Sequence, residues 1–472
     1  MDPDTFRREA HRLADWIADY LAGSRKYPVL SRVRPGDIAH ALPTAPPAAG
    51  ESFDAIFADF ERVLLPGITH WNHPGFFAYF AITGSGPGVL GEFLSAALNV
   101  QAMLWRTSPA ATELEEVVLS WLRQLIGLPP AFEGVIYDTA SMSTLHALAA
   151  AREVAVPAVR AKGLAGRAGV PRLRVYCSDQ THSSIDKAVL LLGLGQESLR
   201  KIPSDDEFRM RVDALASAIR EDRADGWLPI AAVATVGTTS STSVDPVAEI
   251  GEICRRESMW LHVDAAYAGV AAMVPGYEAI LRGAEQADSL VVNPHKWLFT
   301  PFDLSAFYCR RMDAVRSAFS LTPEYLKTVE AAPVRNLMDT GIQLGRRFRA
   351  LKLWMVMRHF GVDGLRARLG EHMRLARLFA SWVDESEEFE RLAPVPFSVV
   401  CFRAVRKGLD EAAIERLNER LLETVNQDGE IFISHTKLHG RFALRLAIGN
   451  LHTTDADVAR AWELLQARAR RF

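Results

Sequence analysis

The sequence predicts an α/β protein whose main sheet is mostly parallel, and its alternation of apolar runs and helical segments carries this prediction. Between Leu173 and Arg310, short apolar runs rich in β-branched residues alternate with polar loops and helical segments. The runs are LRVYC, PIAAVATV, MWLHV, SLVVN and LSAFYC. Strands that are apolar on both faces and separated by helices are typical of a parallel sheet covered by helices on both sides.

The composition is that of an ordinary globular protein. The 472 residues are 49% hydrophobic, 24% charged and 9% aromatic, which excludes collagen-like, disordered and disulfide-scaffold classes. The 54 Lys and Arg residues and the 57 Asp and Glu residues give a formal net charge of −3. Because no basic stripe is visible, we expect no nucleic acid partner.

The cysteines and the N-terminus favour a cytoplasmic protein. Four widely separated cysteines without a CxxC pair indicate neither a zinc site nor a disulfide framework. The N-terminal segment mixes both charges with apolar residues at helical spacing, unlike a signal peptide. No apolar run reaches the roughly 20 residues that a membrane span needs, so we expect no membrane partner.

Residues 1–85 are predicted to form an N-terminal helical arm. An amphipathic helix ends near Gly23, and a proline-rich irregular stretch follows from Tyr27 to Gly50. A lone helix cannot bury its apolar face by itself. We therefore expect the arm to pack on the main body or on a second subunit, which makes dimerisation the first structural hypothesis.

Two further domains are predicted, a large one over residues 86–360 and a small α+β one over 361–472. In the large domain, Ser108 and Pro109 begin a helix that ends at Gly127. A second long helix, LGRRFRALKLWMVMRHFG, follows a loop with few apolar residues. After Gly361, helices alternate with the shorter strands FSVVCFRA, EIFISHT and RFALRLAIG, which indicates a separate α+β unit.

Polar residues that follow the apolar runs are the candidate site residues, because ligands of open α/β sheets bind beyond the carboxyl ends of the strands. Four such strand ends stand out in the sequence. They are residues 179–182, 235–239, 262–266 and 293–296.

Lys296 is the strongest candidate for catalysis. It follows a strand in a setting with Trp297, Phe299 and Phe302, where desolvation of the ammonium group would lower its pKa. A neutral lysine can form a Schiff base with a carbonyl, as in pyridoxal phosphate enzymes, where an acid pairs with the pyridinium nitrogen. Asp264 ends a strand and precedes two alanines, so it is the candidate acid.

A phosphate cradle is predicted at residues 139–144. Hydroxyls and free backbone N–H groups converge there at a helix N-terminus, which favours an anion. Asn293 would add a donor, and His182 would stack on the ring. Each feature also has an ordinary structural explanation, as a helix cap or a surface lysine. The order of cradle, histidine, acid and lysine along the chain favours the cofactor site.

Two other motifs do not indicate a metal or nucleotide site. The histidines of residues 70–73 and 435–439 have metal-like spacing without an acid or cysteine cluster, so no metal is expected. Residues 84–88 are glycine-rich but lack GK[ST] and do not complete GxGxxG, so they are predicted to be a turn.

The sequence resembles the aromatic-L-amino-acid decarboxylase family over nearly its whole length. This family comprises the group II pyridoxal-phosphate decarboxylases of the aspartate-aminotransferase-like fold, which is fold type I. The likeness lies in ITHWNHPGFFAYF, TSPAATELE, DTASMSTLHALAAAR, YCSDQTHSSIDKA, ATVGTT, WLHVDAAYAG, NPHKW and LGRRFRALKLW. It implies the cofactor pyridoxal 5′-phosphate (PLP), a small-molecule L-amino acid substrate and a homodimer with shared active sites.

The resemblance also implies residue roles. Lys296 would carry PLP as an internal aldimine, Asp264 would pair with the pyridinium nitrogen, and His182 would stack on the ring and help to position the substrate. The implied phosphate ligands are Thr139, Ala140, Ser141 and Asn293, with Thr235 and Ala266 lining the pocket and His295 beside the Schiff base. The arm, with Trp71, Tyr79 and Phe80, and the loop before Gly345 would complete the pocket of the other subunit.

The implied reaction is decarboxylation of an aromatic or bulky L-amino acid to its amine and CO2, through the Lys296 aldimine and a quinonoid. This chain departs from the family at the substrate pocket. Ala81 and Ile82 stand where animal members have Pro-Thr, Met103 stands at an aromatic position, and Gln101 replaces an aliphatic residue. These departures predict a remodelled pocket in which an aromatic ring can still contact the Met103 sulfur.

A last departure concerns the loop tyrosine that protonates Cα in plant and animal members. Its aligned position is Leu337, which has no proton to give, and Tyr325 lies nearby but outside that alignment. Loss of this donor resembles the change that yields aldehyde, ammonia and peroxide in the plant branch, so an aromatic aldehyde synthase is the alternative function. In a decarboxylase, His182 or water would protonate Cα instead. A non-catalytic PLP-binding relative is a third hypothesis, against which the complete residue set argues.

Overall fold

The computed structural model describes residues 1–80, 82–321 and 334–472, and the chain divides into two compact units. Unit 1 comprises Met1–Ala81, Ser381–Glu390 and Phe402–Phe472, and unit 2 comprises Ile82–Ala380 and Arg391–Cys401. Within the described ranges, no helix combines the length and the apolar character that crossing a bilayer requires.

The helices and strands of the described ranges follow in chain order. The α-helices are α1 Pro3–Gly23, α2 Asp37–Ala41, α3 Phe53–Asp59, α4 Gly86–Leu98, α5 Pro109–Leu125, α6 Ala140–Ala155, α7 Val159–Lys162, α8 Ser184–Leu191, α9 Val212–Ala224, α10 Val247–Arg256, α11 Pro294–Trp297, α12 Met312–Phe319, α13 Ala350–Asp384, α14 Glu411–Asp428 and α15 Asp455–Ala469. The strands are β1 Phe76–Phe77, β2 Glu133–Tyr137, β3 Arg172–Ser178, β4 Leu199–Ile202, β5 Trp227–Thr235, β6 Trp260–Asp264, β7 Ser289–Val292, β8 Ser305–Cys309, β9 Phe389–Arg391, β10 Val399–Ala404, β11 Phe432–Leu438 and β12 Arg441–Ala447.

Unit 2 is built around a seven-stranded sheet with the strand order β2-β8-β7-β6-β5-β3-β4. Strand β8 is antiparallel to both of its neighbours, whereas the pairs from β7 to β4 are parallel. The apolar runs of the sequence form the strands β3 and β5 to β8. The predicted α/β fold with a mostly parallel sheet is therefore confirmed.

Helix α6 lies across one face of this sheet. It contacts β2 and the four strands β5 to β8, and its residues from Ala147 to Ala151 are almost completely buried. The alanines of this stretch favour a close approach of the helix backbone to the sheet, because their side chains are small. Since α6 follows β2 directly, its N-terminus lies at the carboxyl edge of the parallel strands.

Unit 1 has a five-stranded sheet with the order β1-β11-β12-β10-β9. Strand β1 of the N-terminal segment pairs in parallel with β11, with Phe76 opposite Phe432. Helix α1 begins at an Asp2 cap, and Arg25 after that helix forms an ion pair with Asp457 of α15. The N-terminal segment and the C-terminal strands therefore share one compact unit.

This grouping differs from the predicted domains 1–85, 86–360 and 361–472. Residues 1–81, predicted to be an arm that packs on the main body or on a second subunit, fall in the same unit as the C-terminal residues. The predicted boundary after residue 360 falls inside α13, which is interrupted at Gly361 with φ of 63°. A two-residue strand such as β1 has no readable periodicity, so the pairing that joins the N-terminal segment to unit 1 could not be predicted.

A buried ion pair connects α5, β2 and the segment before α13. Glu115 and Arg346 are both nearly inaccessible to solvent, and their side chains lie 2.8 Å apart. The same Glu115 oxygen accepts the Ile136 N–H at 2.8 Å, and Arg346 donates to the Ile136 carbonyl at 2.7 Å. Each buried charge thus has both a countercharge and a backbone partner.

Removing one partner of this pair should destabilise the protein strongly. We expect Glu115→Ala to lower the free energy of unfolding by about 3–5 kcal/mol, because Arg346 would be left buried without a countercharge. Urea denaturation measures the change. The control is Arg374→Ala, which removes an exposed pair with Glu371 and should cost no more than about 1 kcal/mol. Equal losses in the two variants would contradict this account.

Candidate active site

The candidate residues meet at the carboxyl edge of the seven-stranded sheet. Thr235 at the end of β5 lies opposite Asp264 at the end of β6. The Ala265 N–H donates to the Val291 carbonyl of β7 at 3.0 Å, and the Asn293 N–H donates to the Ala266 carbonyl at 3.0 Å. Three of the predicted strand ends are thus joined directly through the backbone.

Lys296 follows β7 in the short helix α11. Its N–H donates to the Asn293 carbonyl at 2.9 Å, and its side chain is half-buried. The neighbouring Trp297 is directed into the core, where it stacks on Tyr267 with ring centroids 4.8 Å apart and donates to the His372 Nδ1 at 3.0 Å. The backbone that carries the lysine is therefore anchored in the core through Trp297.

The predicted aromatic surroundings of Lys296 are present in part. Trp297 and Phe299 are buried, but Phe302 is 58% exposed. The Phe302 ring lies 4.7 Å from the ring of His295. Phe302 therefore packs on His295. The sequence had predicted instead that Phe302 would help to desolvate Lys296.

Asp264 provides a nearly buried carboxylate at the centre of the edge. It is 6% exposed, and its Oδ1 accepts the Ala266 N–H at 3.1 Å. Among the described residues, Oδ2 has no hydrogen-bond donor. A carboxylate with one oxygen held and one available is suited to a ring N–H, which gains most from a charged acceptor.

The charges of Asp264 and Lys296 both affect the pKa of His182. Desolvation by the surrounding protein lowers the pKa of His182, the Lys296 charge lowers it further, and Asp264 opposes the shift. Its Nδ1 accepts the Ser184 N–H at 3.1 Å, so Nε2 carries the proton in the neutral ring. The histidine is exposed and presents a neutral donor on the open side of the site.

The predicted phosphate cradle lies at the N-terminus of α6. No side chain caps this helix, because the Thr139 hydroxyl is bonded to Asp138 at 3.1 Å instead. The first N–H groups of an uncapped helix are available to an anion, and those of Ala140 and Ser141 are in this turn. Ser141 is exposed and adds a hydroxyl.

Two buried polar atoms in the site have no hydrogen-bond partner among the described residues. They are Oγ1 of Thr235 and Oδ1 of Asn293. Leaving such groups unpaired costs free energy, so their presence beside Asp264 and Lys296 points to a polar ligand. The expected PLP would fit such a site: the α6 N-terminus would hold its phosphate, Asp264 its ring nitrogen and Lys296 its aldehyde.

His295 supports the lysine from within the protein. It is 2% exposed, and its Nδ1 accepts the Leu304 N–H at 2.8 Å. Burial, and then the Lys296 charge, lower the pKa of His295 to about 3. The ring is therefore neutral, and it fixes the turn that leads from the lysine to β8.

Of the predicted substrate residues of unit 1, Trp71 and Tyr79 belong to one aromatic group. Trp71 stacks on Phe76 with ring centroids 4.3 Å apart and lies 6.0 Å from the Tyr79 ring. The Arg445 guanidinium lies 4.5 Å above the Phe80 ring. Tyr79 is 55% exposed, so this group presents an aromatic surface.

The predicted substrate residues of unit 2 form a second group. The Gln101 Oε1 accepts the Arg346 N–H at 2.6 Å, and a Cβ at Gly345 would lie 3.2 Å from the Gln101 Nε2. The Met103 carbonyl accepts the Met338 N–H at 3.1 Å. Gln101, Met103 and the segment before Gly345 are therefore brought together, as expected for one part of a pocket.

Leu337 lies in the core and Ile82 is half-buried. Leu337 is 1% exposed and belongs to the apolar cluster around α6. In this conformation the residue aligned with the family's proton donor does not face solvent. Ala81 and Tyr325 lie outside the described residues.

Two hydrogen bonds that were not predicted from the sequence hold the segment of residues 340–342. The Tyr137 hydroxyl donates to the Thr340 carbonyl, and the Ile342 N–H donates to the His146 Nε2 at 3.1 Å. A histidine within the alanine-rich stretch LHALAAAR was the signal for such a role, because a polar side chain inside a buried helix face needs a partner.

Among the described residues, no three His, Cys, Asp or Glu side chains gather closely enough to bind a metal ion.

Comparison with known proteins assigns the site to a family. The pyridoxal-dependent decarboxylase conserved domain matches residues 35–405. Tryptophan decarboxylase 2 of Oryza sativa subsp. japonica is 41% identical over 479 residues, which cover 99% of this chain and 95% of that protein. Phenylacetaldehyde synthase of Arabidopsis thaliana is also 41% identical over 479 residues, covering 99% of this chain and 96% of that protein.

A solved structure agrees with these sequence matches. The crystal structure of Oryza sativa TDC with PLP and tryptamine superimposes with a TM-score of 0.96 at 36% identity, covering 100% of this chain and 99% of that chain. That crystal structure contains PLP and tryptamine. The fold, the site and the matched length together establish that this chain belongs to the pyridoxal-dependent decarboxylase family.

Proposed function

We propose that this carboxy-lyase decarboxylates an aromatic or bulky L-amino acid to its amine and CO2. The observation that carries the proposal is the meeting of Lys296, Asp264 and His182 beside the uncapped N-terminus of α6. The names of the relatives, among them a tryptophan decarboxylase and an aldehyde synthase of aromatic type, support an aromatic substrate.

Each residue has a distinct task in this proposal. PLP, when bound, supplies an acceptor for the electrons of the bond that breaks at Cα. Lys296 provides the amine that holds the cofactor, and Asp264 holds a proton at the ring nitrogen. His182 presents Nε2–H on the open side, where it can orient the substrate or donate a proton. The α6 N-terminus and Asn293 fix the phosphate.

We further propose a homodimer in the cytoplasm, with a site shared between subunits. Helix α4 packs closely through its glycines, since a Cβ at Gly91 would lie 2.6 Å from the Lys352 Cα. Another part of its surface exposes large apolar side chains, namely Leu90, Phe93, Leu94 and Leu98, which are 45–60% exposed. An apolar patch of this kind favours a protein partner. The four cysteines are buried and form no disulfide, which suits a reducing compartment.

The ring acid provides a first test. We expect Asp264→Asn to lower kcat by about 10²–10³-fold, because the charge that stabilises a protonated ring nitrogen is lost while Lys296 remains to hold the cofactor. Steady-state CO2 release measures the effect. The control is Asp213→Asn, an exposed acid of α9, which should stay within about twofold of the wild type. Full activity in Asp264→Asn would refute the assigned role.

The dimer provides a second test. We expect Leu90→Glu to shift the protein from dimer to monomer, because a charge would be buried in the apolar interface. Sedimentation velocity measures the mass. Leu190→Glu is the matched control, since Leu190 is also exposed, at 53%, but on α8. A wild-type protein that sediments as a monomer, or two variants that both remain dimeric, would contradict the proposed interface.

The product provides a third test. Leu337 has no proton to give to Cα, and this favours a second candidate function, an aromatic aldehyde synthase. We expect a panel of L-tryptophan, L-tyrosine, L-phenylalanine and L-dihydroxyphenylalanine to yield amine and CO2 in equal amounts without oxygen uptake. Peroxide and ammonia in amounts equal to CO2 would establish the synthase instead. In that case Leu337→Tyr should shift the product towards amine, and Leu337→Phe, which has no hydroxyl, should not.

A further inference from the structure

Asp245 is a buried carboxylate that grips the end of β5. It is 2% exposed. Its Oδ2 accepts the Thr235 N–H at 2.8 Å, and its Oδ1 accepts the Met210 N–H at 2.7 Å. Its own N–H donates to the Thr235 carbonyl at 2.9 Å. Both backbone polar groups of Thr235 are therefore bound by this one residue.

The carboxylate has no countercharge. Among the described residues, Asp245 forms no ion pair, and burial raises its pKa to about 7. Burying a carboxylate costs folding free energy unless hydrogen bonds compensate for the lost water. The two hydrogen bonds that it accepts, from Thr235 and from Met210, offset part of this cost.

The segment between Thr235 and Asp245 closes on itself. Val236 and Val244 form an antiparallel bridge, the Gly237 N–H donates to the Ser243 carbonyl at 3.0 Å, and the Ser243 N–H donates to the Thr238 Oγ1 at 3.0 Å. These bonds link the two ends of the loop to each other. Asp245 stands at the base of the loop and joins it to β5 through Thr235.

Thr235 connects Asp245 and this loop to the proposed cofactor site. Its Oγ1 is buried without a partner among the described residues, and Thr235 lies opposite Asp264 in the β5–β6 pairing. A shift of the Thr235 backbone would therefore move a hydroxyl of the site and disturb the strand that carries the ring acid.

We propose that Asp245 is a positioning residue for PLP, which fixes the Thr235 backbone so that the Thr235 hydroxyl and Asp264 are held against the cofactor ring. The proposal rests on the assignment of Thr235 and Asp264 to the PLP site made under the proposed function. Asp245 itself acts through Thr235.

Asp288 offers a matched control. It is also a nearly buried acid, at 8% exposure, and its Oδ2 accepts a strand N–H of the same sheet, that of Leu261, at 2.9 Å. It precedes β7, however, at the edge of the sheet opposite to the site. Asp288→Asn should therefore weaken the fold as Asp245→Asn does, without acting on the cofactor.

The experiment is a titration of each apoprotein with PLP, followed by absorbance, together with urea denaturation of the same apoproteins. We expect Asp245→Asn to raise the Kd for PLP by about tenfold or more, by analogy with the loss of a supporting hydrogen bond in metal sites, because an amide cannot accept both N–H groups. Asp288→Asn should leave the Kd within about twofold of the wild type.

A double-mutant cycle tests whether the effect passes through Thr235. We expect Thr235→Val to raise the Kd for PLP, and Asp245→Asn to add much less in the Thr235→Val background than in the wild type. A contribution to folding alone would not produce such coupling. Should Asp245→Asn fail to fold, Thr235→Val still decides, since an unchanged Kd in that variant would overturn the proposal.

The remaining outcomes separate the two proposals. Equal changes of Kd in Asp245→Asn and Asp288→Asn, or additive effects of the Asp245 and Thr235 variants, would overturn the positioning role while leaving a PLP enzyme in place. A wild-type apoprotein that takes up no PLP would overturn the proposed function as well.

Discussion

The parallel pairing of β5, β6 and β7 is the constraint on which the rest of the site depends. Because these strands run the same way and keep the register that sets Thr235 beside Asp264, polar residues far apart in the chain arrive at one edge. Helix α6 crosses beneath the same strands and brings an uncapped N-terminus to that edge. Acid, lysine and anion cradle are therefore consequences of one backbone arrangement.

Much of this arrangement could be predicted, because strong patterns encode it. Apolar runs with β-branched residues located the strands of unit 2, and the polar residues directly after them included Asp264 and Lys296. The hydroxyl-rich sequence before an alanine-rich helix located the uncapped helix N-terminus at Thr139. In each case a short stretch of sequence carried both the element and its functional end.

Features that depend on long-range packing were not predictable in the same way. The N-terminal segment joins unit 1 through a two-residue strand. Phe302 packs on His295 and remains exposed. Leu337 is buried because it belongs to the apolar cluster around α6. Asp245 follows a polar loop like many other acids in the chain. Its hydrogen bonds to Thr235 and Met210 become visible once the loop is seen to close.

The central claim is that this edge of the sheet binds PLP covalently through Lys296. The most direct measurement is borohydride reduction of the PLP-loaded protein, followed by proteolysis and mass spectrometry of every lysine-containing peptide. The account predicts one pyridoxyl group per chain, on the peptide that contains Lys296. A pyridoxyl group on another lysine, or on none, would contradict it.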